Sequence, residues 1–103
     1  DYAVAGQLAP EHMKQLAEAG FRSVINNRPD GEEAGQPGAE QMKAAAEAAG
    51  LQYVYLPVGA AYPVDAAAVT LKQELPRLPR PILAYCRSGA RSTNLYGLAK
   101  SAL

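Results

Sequence analysis

One unit occurs twice in this chain: a helical pattern, a glycine that ends it, and a short run of strand formers. Met13, Leu16, Ala17 and Gly20 recur at helical spacing with Glu11, Lys14, Gln15 and Glu18 on the other side, and Phe21 to Asn26 follows as a strand. Met42, Ala45, Ala46 and Ala49 repeat the pattern, Gly50 closes it, and Leu51 to Val58 reads as the next strand, with Pro57 limiting its ladder. Strands that alternate with helices pair mostly in parallel and bury helices against the sheet. The expected class is therefore α/β, a mostly parallel central sheet with helices on both faces.

The remaining segments fit that plan. Tyr2 to Gly6 is a short strand candidate, and Pro10 suits the first turn of the helix after it. Asp65 reads as the N-cap of a helix whose apolar face carries Val64, Ala68, Leu71 and Leu75, with Pro76 and Pro79 ending it. Pro81 to Tyr85 forms the last strand, and Ser92 to Ala102 the last helix, with Leu95, Leu98, Ala99 and Ala102 along one side. A length of 103 residues suits one domain over 1–103.

The chain begins at Asp1 without Met, so it reads as processed or as a piece of something longer. No apolar run approaches the roughly 20 residues that a spanning helix needs, and no basic-then-apolar leader opens the chain. A cytoplasmic location, away from membranes, is expected. Ten basic and ten acidic side chains cancel, which disfavours nucleic acid as a partner and confines anion recognition to a local site.

That site is expected after the last strand. Cys86 is the single cysteine. It therefore has no internal disulfide partner, and with no clustered ligands around it neither a metal nor a cofactor is expected. A thiol closing a core strand is a common arrangement, but two arginines, two serines and a glycine within six residues are poor core material. Cys86-Arg87-Ser88-Gly89-Ala90-Arg91-Ser92 can instead turn backbone N–H groups toward one point ahead of a helix N-terminus, with Arg91 adding a forked cation. A free thiol titrates near about 8.5, and such surroundings bring it to roughly 3.5–7.5, so Cys86 is a candidate nucleophile. Gly89 serves the tight loop. Ser88 and Ser92 are candidate donors to the sulfur or to an oxyanion, Ser92 equally a helix-start residue, and Arg87 weighs less than Arg91 because neighbouring loop residues seldom all face inward. Substrates are expected to be small anions or persulfides.

Arg28, Asp30 and Tyr62 are candidate pocket walls. Arg28 reads first as a brace for the active loop, and Asp30-Gly31 first as a turn. The stretch Val58 to Pro63 contains no acid, leaving Asp30 and Glu32 as the candidate general acids. His12 is the sole histidine, on the polar side of the first helix, and reads as a surface residue.

The spacing of four residues between Cys86 and Arg91 resembles the active loop of rhodanese sulfurtransferases. The protein-tyrosine-phosphatase signature is similar, but has five intervening residues and usually a His where Tyr85 stands. Val4-Ala5-Gly6-Gln7, Gly20-Phe21 with Val24-Ile25-Asn26, Arg28-Pro29-Asp30-Gly31-Glu32, Tyr55-Leu56-Pro57-Val58 and Tyr85 to Ser92 together resemble the phosphatase-like domain of the beta-lactamase-hydrolase-like proteins, also called DUF442. That resemblance implies a cysteine-phosphatase-like fold, further helical residues beyond Leu103, and a persulfide dioxygenase domain as a fused partner in some members. The fusion, the four-residue spacing and the acid-free loop imply sulfur transfer through a Cys86 persulfide, from thiosulfate or a small persulfide to a thiol or cyanide. Phosphate hydrolysis through a Cys86 phosphocysteine is the alternative, and an anion-binding module without turnover the third reading.

Overall fold

Strands and helices alternate over residues 1–101, which the computed structural model describes: β1 (Tyr2–Ala5), α1 (His12–Glu18), β2 (Ser23–Asn26), α2 (Ala39–Ala48), β3 (Gln52–Tyr55), α3 (Val64–Glu74), β4 (Ile82–Tyr85) and α4 (Ala90–Ser101). The repeated helix-glycine-strand unit has a repeated cause. Gly20 N–H donates to Ala17 O and Phe21 N–H to Leu16 O; Gly50 N–H donates to Glu47 O and Leu51 N–H to Ala46 O. Both helices thus end in the same paired hydrogen bonds, which satisfy their last carbonyls before the strand begins.

The strands pair in the order β1-β4-β2-β3, and every pairing is parallel. Ile25, Ile82 and Ala84 pack with Ala68, Leu71, Leu95 and Ala99 of α3 and α4, whereas Val24 and Tyr85 pack with Met13, Met42 and Ala46 of α1 and α2. Successive strand residues therefore serve opposite cores, and helices cover both faces as the alternation implies. Each fully buried Ile, Leu or Met contributes roughly 1.5–3 kcal/mol, which lets strands of four residues persist. No helix among the described residues is long and apolar enough to cross a membrane.

Several expected boundaries move. The β3 ladder stops at Tyr55 rather than Val58; beyond it Leu56 and Val58 donate to Asn26 O and Asn27 O across the irregular chain around Pro57, which has no N–H to give. Helix α1 starts at His12, not Pro10, because a turn comes first: His12 N–H donates to Ala9 O, and Ala9 N–H donates back to His12 Nδ1 at 2.9 Å. His12, read as a plain surface residue, closes that turn. Asp65 is not the N-cap of α3. Pro63 holds that place, and Asp65 sits in the first turn with its carboxylate on Ala66 N–H at 3.0 Å, where it complements the helix dipole. Helix α4 begins two residues earlier than Ser92, at Ala90; Ala102 lies outside the described residues.

Register decides where the loops converge. Ala5, Tyr85, Asn26 and Tyr55 lie side by side across the sheet, so the strands end in one row and the chain leaves from Gly6, Cys86, Asn27 and Leu56 along one edge. Between β1 and β2 lies β4, and its outgoing helix packs on the face opposite α1 and α2. Connections that diverge to opposite faces open a crevice at the carboxyl ends of the strands, where sheets of this kind bind ligands.

Candidate active site

Cys86 is fully buried at the end of β4. Its N–H is anchored on Ala5 O of β1 at 3.3 Å, and the Arg87 carbonyl is turned outward onto Gln7 N–H at 3.1 Å. Gly89, at φ +96°, reverses the chain so that Ala90 enters α4 directly, with Thr93 N–H closing the first helical turn on Gly89 O at 3.0 Å. The same reversal aims Gly89 N–H at Cys86 Sγ, 3.0 Å away. The expected seven-residue loop is thus a four-residue loop capped by a helix: Ala90, Arg91 and Ser92 are first-turn residues of α4.

Burial pushes the Cys86 thiol up, but donors from Ser92, Gly89 and Ser88 outweigh it, and the net pKa lies below the ordinary thiol value. The Ser92 hydroxyl has one proton and two claimants. Asn27 Nδ2 donates to Leu56 O at 2.8 Å, which leaves Asn27 Oδ1 facing Ser92 Oγ at 2.8 Å as an acceptor. That bond is short and fixed, so the backbone N–H groups carry the lowering at the sulfur. Asn27 is fully buried and ties the β3 exit to α4 beside the nucleophile. In the sequence Asn27 stands between Asn26 and Arg28 at the end of a strand, where an amide fits a turn as well as a buried contact.

Arg91 has five N–H donors in a fixed plane. Nη1 donates to Glu32 Oε2 at 2.7 Å and to Val58 O at 2.8 Å, and Nη2 donates to Glu32 Oε1 at 2.9 Å. The Nε–H and the second Nη2–H remain, and they lie on one edge of the guanidinium as a parallel fork. Glu32 does not block the arginine; it orients the free edge. Arg91 holds its proton more tightly than usual, first through the Glu32 hydrogen bond and, against the effect of burial, also through the charge of Cys86. Gly59 makes the approach possible: a Cβ there would lie 3.0 Å from Pro29 Cγ and 3.4 Å from Glu32 Oε2.

Glu32 joins two arginines. Arg28 is only 3% exposed, and it donates from Nε to Glu32 Oε1 at 3.0 Å, from Nη1 to Gln7 Oε1 at 3.0 Å and from Nη2 to Glu33 Oε1 at 3.1 Å. Arg28 is therefore the brace, linking the loops after β1, β2 and β4, and not a wall that meets substrate. Gln7 and Glu33 belong to the same brace and carry no local sequence signature. Asp30 is exposed, and its Oδ1 accepts Ala39 N–H at 2.8 Å at the start of α2. Tyr62, 42% exposed, lines a groove against Ala66, Ala67 and Thr70 of α3 that contains no residue of the Cys86 loop. Arg87 and Ser88 are exposed, and Arg87 makes no ion pair among the described residues.

The arginines hold the Glu32 carboxyl far below its usual range, from 4.5 to about 2, Arg91 first and Arg28 second. It is ionised at neutral pH, which overturns its reading as a general acid. Its folded pKa lies below the unfolded one, so the ion pairs stabilise fully above about 4.5 and fade as pH falls toward about 2. The difference in Tm between the parent and Glu32→Gln is expected to hold steady down to pH of about 4.5 and to shrink below it. Thermal melts across that range check this; a difference unchanged at the acid end would contradict it.

A parallel sheet ending in a buried cysteine, an amide-lined loop and a helix with an arginine in its first turn defines the cysteine-phosphatase-like class of α/β domains. The model of the beta-lactamase hydrolase-like protein, phosphatase-like domain, matches residues 1–103, and the chain belongs to that family. It is 40% identical over 98 residues to the beta-lactamase hydrolase-like protein of Agrobacterium fabrum, covering 95% of this chain and 23% of that protein. The chain thus spans about a quarter of the length of the curated relatives it matches. Among solved structures, a protein of Neisseria meningitidis described as a candidate phosphatase superposes with a TM-score of 0.86 at 34% identity, over 98% of this chain and 72% of that one. Tk-PTP in its active form shares the fold, with a TM-score of 0.63 at 14% identity over 99% of this chain and 70% of that one.

Proposed function

We propose that this domain is a cysteine-dependent phosphatase. The Cys86 thiolate attacks the phosphorus of a phosphate monoester, the phosphorus–oxygen bond to the leaving group breaks, and water hydrolyses the resulting phosphocysteine. The observation that carries the reading is the donor geometry: Gly89 N–H at 3.0 Å from Cys86 Sγ, beside an arginine whose free edge is oriented by the Glu32 pair on its other hydrogens. Such donors stabilise charge on the non-bridging oxygens as the transition state forms. The family and the Neisseria relative, a candidate phosphatase, support the same reading.

Sulfur transfer is a second reading, favoured by one specific observation: four residues separate Cys86 from Arg91, a shorter cradle than the five-residue phosphatase loop. There the thiolate attacks the outer sulfur of thiosulfate, the sulfur–sulfur bond breaks, sulfite leaves, and the Cys86 persulfide passes its sulfur to a thiol or cyanide. A persulfide dioxygenase domain joined to this one would fit that chemistry. Incubating the chain with an aryl phosphate, and separately with thiosulfate and cyanide, discriminates. Phenol release with a phosphoryl group trapped on Cys86 is the expected result; sulfur trapped on Cys86, with no phosphate turnover, would replace the first reading by the second.

A further inference from the structure

Asp30, Glu32, Glu33 and Asp65 each have a hydrogen-bond or ion-pair partner. Asp30 accepts the Ala39 N–H at the start of α2. Glu32 is forked between Arg91 and Arg28, and Glu33 is paired with Arg28 Nη2 at 3.1 Å. The run Val58 to Pro63 contains no acid, and Asp65, exposed on α3, is turned to Ala66 N–H. Protein-tyrosine-phosphatase-like chemistry ordinarily gives the departing oxygen a proton from such a group, a contribution of about 10²–10⁴-fold.

We infer that none of the carboxylates among the described residues serves as a general acid, and that the substrates are accordingly activated phosphates, aryl or acyl, whose leaving oxygen departs as a stable anion. This rests on the phosphatase reading above and narrows its substrate class. In the first step the sulfur lone pair forms the sulfur–phosphorus bond and the phosphorus–oxygen pair goes to the leaving oxygen, which leaves as a phenolate that solvent then protonates or as a carboxylate that stays ionised. In the second, water attacks phosphorus, the sulfur–phosphorus pair returns to Cys86, and the proton of water goes to a phosphate oxygen or to solvent. The spare edge of Arg91 and the loop amides serve the non-bridging oxygens in both steps. Asp30, Glu32, Glu33 and Asp65 are each engaged with another partner rather than with the bridging oxygen.

The test is a series of aryl phosphates whose phenols span pKa of about 7 to 10, read as kcat/KM, which reports the bond cleavage. Over that span kcat/KM is expected to fall about 10²–10⁴-fold, the factor that a positioned proton donor otherwise supplies. Asp30→Asn, Glu33→Gln and Asp65→Asn are expected to keep the parent slope, whatever they do to stability. A fall of less than about 10²-fold, the low end of what proton donation would offset, overturns the inference. A variant whose slope steepens also overturns it, by identifying the acid. Both outcomes leave the phosphatase reading standing. Absence of Cys86-dependent turnover with even the most activated ester removes that reading, and this inference with it.

Discussion

Changing Cys86 to Ser is expected to lower kcat with an aryl phosphate by at least about 10⁴-fold, the scale on which removal of a nucleophile acts. The loop lowers a thiol pKa because several N–H groups point at the sulfur, but the same donors cannot bring an alcohol into its ionised form near neutrality. The change is close to isosteric, so the fold and the loop are expected to survive it with a small shift in Tm. Binding of inorganic phosphate separates loss of chemistry from loss of the site. The variant is expected to bind phosphate at least as tightly as the parent, because a negative charge has left the loop while the Arg91 fork remains. Calorimetric titration with phosphate checks this; turnover within tenfold of the parent would remove Cys86 from the nucleophile role.

Arg91→Lys is expected to cost about 10²–10³-fold in kcat, comparable to removing an oxyanion donor. A lysine keeps the charge and can still meet Glu32, but it offers no second edge. The arginine engages Glu32 and Val58 O with three hydrogens and keeps two for an anion, which an ammonium group cannot do in a fixed plane. Arg87→Lys is the control, with an expected change of only a few-fold, because Arg87 is exposed and makes no ion pair among the described residues. Equal losses at the two positions, measured as kcat and KM on the same ester, would contradict the role of the Glu32 fork.

Much of this architecture was legible beforehand because it is local. Gly20 and Gly50 end helices through hydrogen bonds that span five residues at most, and the Cys86 to Ser92 string carries its chemistry in side chains next to one another. Boundaries were less legible where two local devices competed. Asp65 is a sound N-cap by type, yet Pro63 already supplies the extended residue before the helix. Ser92 looked like a helix start, yet Gly89 sends the chain into α4 two residues sooner. Glu32 shows the harder case. In sequence it is an acid near a turn, with no mark to distinguish a proton donor from an ion-pair partner. Its pKa is set by Arg91, which is 59 residues away in the chain.

The sequence by itself determined the alternation of strands and helices, the class of sheet, and the cysteine loop as the place where chemistry would sit. Spacing, glycines and adjacent side chains act over a few residues, and those are written in order along the chain. Only the tertiary structure decided what each polar residue around that loop does. The register that ends all the strands in one row brings Gln7, Asn27, Arg28, Glu32 and Val58 to the loop from separate segments, and a carboxylate or an amide takes its role from the partner it meets. Hydrogen-bond pairing and pKa depend on distances between segments that the order of residues does not contain.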